Sequence, residues 1–265
     1  MLSVSPMDRH GYFNYSVNTG VAAPIVRAAD IVIVEINENL PKVRGGYDEC
    51  IHISDIDYIV EGEHEPYPDM LMPEPTAVDR KIAELIIPYI VDGATLQIGI
   101  GSMPNALGDI IAESDLKDLG MHTELCSDAY LKMYLAGKLT NKYKQIDRGK
   151  GVFGCAVGSK SLYDWIDDNP GVAAYPLEYV NRPGVIGEID NMVSINSCVA
   201  VDLYGQGEEI EKKMCQIIDF YNTKRPHMSN NMLTPEKAHQ GTGVLKKYWK
   251  NKVYTPKEAM NQDYV

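Results

Sequence analysis

Two apolar spacings alternate along the middle of the chain. Val78, Ile82, Leu85, Ile86, Tyr89 and Ile90 recur three and four residues apart, which predicts a helix with one apolar face; Thr76 with Asp79 three residues on has the form of a capping pair. Asp92-Gly93 closes that helix. The apolar run Ala94–Ile100 then predicts a strand, Gly101-Ser102-Met103-Pro104 a turn into a helix carrying Ala106, Leu107, Ile110 and Ile111, and Met121–Cys126 a second strand. Ser127 is placed to cap a helix over 128–136. Further on, 151–157, 171–174 and 192–203 have the pattern of strands and 160–167 that of a short helix. Before residue 76, Ala29–Ile36 is a β-branched run of the kind buried on both faces. The stretch 39–75, with Pro41, Gly45-Gly46, Pro66, Pro68, Pro73 and Pro75, is loop-like apart from an ordered segment within 50–60, and it is the expected domain boundary. Helix, strand, glycine turn, helix, strand is the order of an α/β fold built on open, mostly parallel sheets.

Charge refines this picture. The 265 residues carry a formal net charge of -12, against the basic face that nucleic acid or an anionic membrane requires. The balance is uneven: residues 1–206 hold 15 Lys/Arg against 30 Asp/Glu, net -15, and residues 207–265 hold 10 against 7, net +3. Such an asymmetry predicts a tail of separate origin. The five cysteines, Cys50, Cys126, Cys155, Cys198 and Cys215, form no C-x-x-C pair, so neither a zinc site nor a disulfide framework is expected, and a reducing cytoplasm fits. No apolar run reaches the roughly 20 residues needed to span a bilayer.

Two features could carry chemistry. Gly99-Ile100-Gly101-Ser102-Met103-Pro104 leaves a strand and enters a helix; its glycines allow close backbone approach, and free N–H groups at the helix start favour negative charge. By residue type alone it is either a tight turn or an anion cradle, and Pro104 in place of a third glycine argues against a dinucleotide site. Glu124 ends the next strand, and ligands collect at the carboxyl ends of parallel strands, so the acid and the turn are expected to converge. An exposed strand-end acid is the plain alternative. His52, His64 and His122 are isolated, Cys126 and Cys198 sit in apolar strands as packing residues, and Asp167-Asp168 has the form of a solvated helix end.

The stretches SPMDRHGYFNYS (5–16), EPTAVDRKIAELI (74–86), QIGIGSMPNALG (97–108), GMHTELCSD (120–128) and INSCVAVDLYGQ (195–206) resemble the acetyl-CoA hydrolase/transferase family, in particular its butyryl-CoA:acetate and 4-hydroxybutyrate CoA-transferases. The resemblance implies a two-domain fold of the CoA-transferase type and a ping-pong transfer of CoA among short-chain acids through a glutamyl-CoA thioester. It implies Glu124 as nucleophile and a CoA-contacting loop of Gly99, Ile100, Gly101, Ser102, Met103, Pro104 and Asn105, with Asn196, Val199 and Ala200 alongside the thioester. His10 or Asn14 would touch the substrate carboxylate, unless these two only shape a turn. Coenzyme A would be a substrate, with no resident cofactor and no metal. Acyl-CoA and short-chain carboxylates would be the partners, with self-association left open.

The same resemblance implies a truncated enzyme: residues 1–72 as the end of a first domain, 73–206 as most of a second, and no G-x-G-G-Q loop after Gln206. Within 207–265, the stretch from about 215 to 240, including YNTKRPH (221–227) and TPEKA (234–238), resembles the end of an insertion-sequence integrase without its acidic catalytic core. Hydrolysis, or an inactive fragment with a weakly DNA-binding tail, are the alternatives.

Overall fold

In the computed structural model the residues described are 1–197; Val199, Ala200, the end of the expected strand over 192–203 and the integrase-like stretch lie outside them. The first part contains β1 (Leu2–Val4), β2 (Tyr12–Asn14), α1 (Thr19–Ala28), β3 (Ile33–Ile36), β4 (Cys50–His52) and β5 (Tyr58–Glu61). Strands β1, β3 and β5 form a parallel sheet in that order, while β2 and β4 pair antiparallel. Val4, Phe13, Tyr15, Ala22, Ala23, Val34 and Ile51 pack into one buried cluster. Asn14 ties this part together: its amide oxygen accepts from the backbone N–H of Ser16 (2.9 Å) and Val43 (3.0 Å), and its nitrogen donates to the Val43 carbonyl (2.8 Å).

The second part contains α2 (Ala77–Ile86), β6 (Thr95–Ile98), α3 (Ser102–Glu113), β7 (Gly120–Cys126), α4 (Asp128–Leu135), β8 (Gly151–Ala156), α5 (Lys160–Ile166), β9 (Val172–Ala174), α6 (Leu177–Val180), α7 (Pro183–Ile186) and β10 (Met192–Ile195). Its five strands are all parallel, in the order β10-β6-β7-β8-β9. The expected α/β fold with mostly parallel sheets is what the chain forms. Leu96, Ile98, Met121 and Phe153 are fully buried, together with Leu107 and Ile111 of α3 and Tyr130 and Met133 of α4. Pairing between β6 and β7 is confined to Thr95↔Gly120 and Leu96↔Met121. Beyond it, the Tyr130 hydroxyl accepts from the Ile98 N–H (2.8 Å), so a backbone group outside the β6–β7 pairing is satisfied from α4, and the same hydroxyl donates to the carbonyl of the paired Leu96 (3.3 Å).

The structure departs from the expectations in three places. Helix α1 was hidden by Gly20 and the internal Pro24, both helix-disfavouring, and it forms because Ala22 and Ala23 bury against the first sheet. Helix α2 is capped by Thr76 and Asp79 as expected, but its apolar stripe is split: Val78, Ile82, Leu85 and Tyr89 are exposed, whereas Ile86 and, beyond the helix end, Ile90 pack against the core together with Ala83. Finally, part of the loop-like stretch runs along β9, where Arg44 O accepts from Ala174 N (2.8 Å) and Gly45 bridges Ala174. Asp167 and Asp168 hold it there, through Lys42 N (2.7 Å) and the Arg44 side chain (2.9 Å) respectively.

Candidate active site

Strand β6 has β7 on one side and β10 on the other, so the crevice beyond its carboxyl end is where an open parallel sheet accommodates ligands. A cleft of about 310 Å³ lies there, with Gln97, His122, Glu124, Asn181, Ser194 and Asn196 as its polar lining. Alternation along β7 brings His122 and Glu124 to one face of the strand, the histidine buried and the glutamate exposed. Asn181, the residue after α6, donates its side-chain N–H to Glu124 Oε2 at 2.7 Å. Across the cleft, Gln97 and Asn196 exchange amide hydrogen bonds (3.0 and 2.7 Å), and Ser194 donates to Gln97. The parallel register Ser194↔Gln97 sets up this network.

The glycine turn adjoins it. At Gly99 a Cβ would lie 2.9 Å from Asn196 Oδ1 and would push that amide aside, and Gly101 has φ +125°, a conformation L side chains rarely adopt. Gly101 is also the N-cap of α3 and offers no side chain, so the first helical N–H groups are left for another acceptor. Ile100 is exposed and Ser102 half-buried. Met103 and Pro104 turn into the core, and the Asn105 amide oxygen accepts from Lys132 Nζ (2.9 Å), so from 103 to 105 these side chains are committed to the protein's own packing. Glu124 and Asn196 thus line one cleft, and the glycine turn adjoins it where Gly99 lies against Asn196, without itself lining it. His10 and Asn14 do not line it: His10 is exposed and accepts from Arg9 Nε (3.0 Å), and the Asn14 amide is spent on the backbone of Ser16 and Val43 and on Cys50 Sγ (3.4 Å).

His122 is more than a bystander. Its Nε2 lies 2.9 Å from the Val180 carbonyl oxygen, so that nitrogen carries the proton, and Nδ1 is buried without a partner. Burial holds its pKa below the ordinary histidine value, and buried Lys144 acts in the same direction. Lys144 itself donates to the carbonyls of Met121 (3.0 Å) and Lys150 (2.8 Å), with burial lowering its pKa to about 8. Cys126 is fully buried and its thiol is pushed up by desolvation, in keeping with a packing role. Among the described residues, no group of three or more His, Cys, Asp or Glu is placed to hold a metal ion, and no helix is long and apolar enough to cross a membrane. Gln97, Asn181 and Ser194 escaped the sequence reading. Gln97 opens the QIGIG stretch, but Asn181 follows a helix of four residues that no periodicity marks.

Comparison with known proteins gives two matches to one family. Residues 1–69 match the acetyl-CoA hydrolase/transferase N-terminal domain, and residues 158–217 match the acetyl-CoA hydrolase/transferase C-terminal domain. Over these residues the chain is similar to the acetyl-CoA hydrolase/transferase family. Relatives among the curated proteins include a probable butyrate:acetyl-CoA coenzyme A-transferase of Syntrophomonas wolfei, 47% identical over 206 residues (78% of this chain, 46% of the relative). They also include a butyryl-CoA:acetate CoA-transferase of Anaerostipes caccae, 48% identical over 207 residues (78% and 46%). RipA from Yersinia pestis superposes with a TM-score of 0.72 at 38% identity, covering 78% of this chain and 48% of RipA. A 4-hydroxybutyrate CoA-transferase from Porphyromonas gingivalis gives a TM-score of 0.70 at 36% identity, covering 76% and 50%. The chain spans about half the length of the curated relatives it matches.

Proposed function

We propose that Glu124 is the nucleophile of a CoA-transferase acting on short-chain acyl-CoA, with butyryl-CoA and acetate as the donor and acceptor to test first. The observation that carries this reading is the Glu124 carboxylate held by Asn181 in a cleft that the uncapped glycine turn adjoins through Gly99 and Asn196. The names of the relatives, butyrate:acetyl-CoA and butyryl-CoA:acetate transferases, support the substrate class. A carboxylate oxygen of Glu124 attacks the thioester carbonyl, the C–S bond breaks, and CoA thiolate leaves an acyl-glutamyl anhydride. The thiolate then attacks the glutamyl carbonyl, releasing the first acid and leaving a glutamyl-CoA thioester; an incoming carboxylate takes the CoA by the reverse steps. An acid suits this role because its thioester lies close in energy to the substrate's, whereas serine or lysine would form an ester or amide too stable to return the CoA. Within the Gly99–Asn105 loop, the backbone N–H groups of Ile100, Gly101, Ser102 and Met103 are the donors for the oxyanions, each well-aimed one worth ~3 kcal/mol in such sites; those of Gly99 and Asn105 are already given to Ile195 and Gly101, and Pro104 has none. Coenzyme A is a substrate here, the setting is cytoplasmic, and the boundary near residue 72 separates the family's two domains.

Incubation with butyryl-CoA followed by peptide mass spectrometry tests this. A CoA-mass adduct is expected on the peptide carrying Glu124 and should vanish on adding acetate; no adduct would overturn the transferase reading. Thiol release without acetate would mark hydrolysis instead. A separate reading concerns the net +3 of residues 207–265: if that segment contacts nucleic acid, retention of the full chain on duplex DNA falls steeply with salt.

A further inference from the structure

We propose that His122 is a positioning residue for Glu124, acting through the Val180 carbonyl to fix Asn181. The inference rests on the reading of Glu124 as nucleophile. Helix α6 is four residues long; the Leu177 and Tyr179 carbonyls accept from the N–H groups of Asn181 (2.8 Å) and Arg182 (3.2 Å), which leaves the Val180 carbonyl at its end to be satisfied from elsewhere. The imidazole Nε2–H of His122 supplies that donor. The next residue, Asn181, then donates to Glu124, two positions along β7 from His122. Strand β7 therefore grips this turn at both ends, closing a ring through His122, Val180, Asn181 and Glu124.

Packing alone does not account for a histidine here. The ring is 1% exposed and its Nδ1 has no partner, so a phenyl ring would fill the space without an orphaned acceptor. What only the imidazole provides is the Nε2–H. The ring's surroundings shift it towards the neutral form: burial is the largest effect and Lys144 adds to it, outweighing the Val180 carbonyl and Asp147, which favour a positive charge, and the Tyr179 ring lies 6.3 Å away between centroids. Protonation of Nδ1 would leave the Nε2 donor in place, so the clamp itself does not depend on titration.

Two measurements on the full chain test this. With histidine labelled in 15N, long-range proton–nitrogen spectra at neutral pH should assign the Nε2–H tautomer to the signal lost in His122→Phe; an Nδ1–H tautomer would overturn the clamp. Single-turnover formation of the glutamyl-CoA adduct should slow about tenfold in His122→Phe, the value of one lost hydrogen bond. The half-saturating butyryl-CoA concentration should stay unchanged. His122→Gln, whose amide nitrogen reaches the Nε2 position, should restore the rate, whereas His122→Asn, whose amide lies at the Nδ1 position, should not. Equal losses in all three variants, in step with their thermal unfolding, would reduce His122 to a structural residue and overturn the proposal. If the wild type forms no adduct, the nucleophile reading fails, and the tautomer with the Asn181 side-chain amide signal still decides the clamp.

Discussion

In the three-stranded sheet only β3 has a neighbour on both sides, and β5 lies along an edge with Tyr58, Ile59 and Val60 all exposed. In the five-stranded sheet, β6, β7 and β8 are flanked on both sides, and Leu96, Met121 and Phe153 are fully buried beneath helices. Two asparagines mark the consequence. Asn14, in the small sheet's part, spends its amide on the backbone of Ser16 and Val43, whereas Asn181 spends its own on one exposed carboxylate. A rigid, covered sheet can leave polar groups unspent at its strand ends, and these are the groups available for chemistry.

The largest effect expected is on activity alone. Glu124→Gln should eliminate the CoA adduct in mass spectrometry while thermal unfolding stays within about 0.5 kcal/mol of wild type, since the side chain is exposed. On stability, Phe153→Ala in β8 should cost about 3–5 kcal/mol in urea unfolding, through lost burial and the cavity left behind. Val60→Ala on the β5 edge should cost no more than about 0.5 kcal/mol. Equal costs at the two positions would erase the contrast between the sheets. Next, Asn14→Ala should cost about 1–3 kcal/mol because it strands the N–H groups of Ser16 and Val43 and the Val43 carbonyl. Asn181→Ala should leave stability nearly unchanged and instead slow adduct formation by about tenfold, one hydrogen bond to the carboxylate.

How much of this could be read beforehand follows the same division. Strands β6, β7 and β8 are continuous apolar runs because helices and loops cover both their faces, so their pattern is written locally. Glu124 and the glycine turn were legible for a related reason: each sits where a strand ends, within 25 residues of the other. Helix α1 was not, because Gly20 and Pro24 mask a helix that tertiary burial of Ala22 and Ala23 makes stable. In α2 the helix and its cap are legible but the split of its stripe is not, because periodicity identifies an apolar face without saying which of its residues meet a neighbour. Asn181 was invisible, since a side chain 57 positions from Glu124 on a four-residue helix carries no pattern of its own.

The smallest predicted effect separates the buried histidine from the clamp it forms. Burial lowers the pKa of His122 in the folded chain, so as pH falls below the ordinary value of 6.5 the unfolded state takes up the proton first. The unfolded state then binds more protons than the folded one, and stability declines with falling pH from that point until the folded ring also protonates. Above 6.5 the contribution is fully present. Removing the ring in His122→Phe removes this decline but not the acid sensitivity of the carboxylates, so the two proteins' urea-unfolding free energies should run parallel above pH 7, and below pH 6.5 the wild type should lose stability relative to the variant. Parallel curves throughout would mean that the imidazole is solvated enough to titrate normally, and β7 would then be less tightly covered near Glu124 than its buried neighbours Met121 and Thr123 imply.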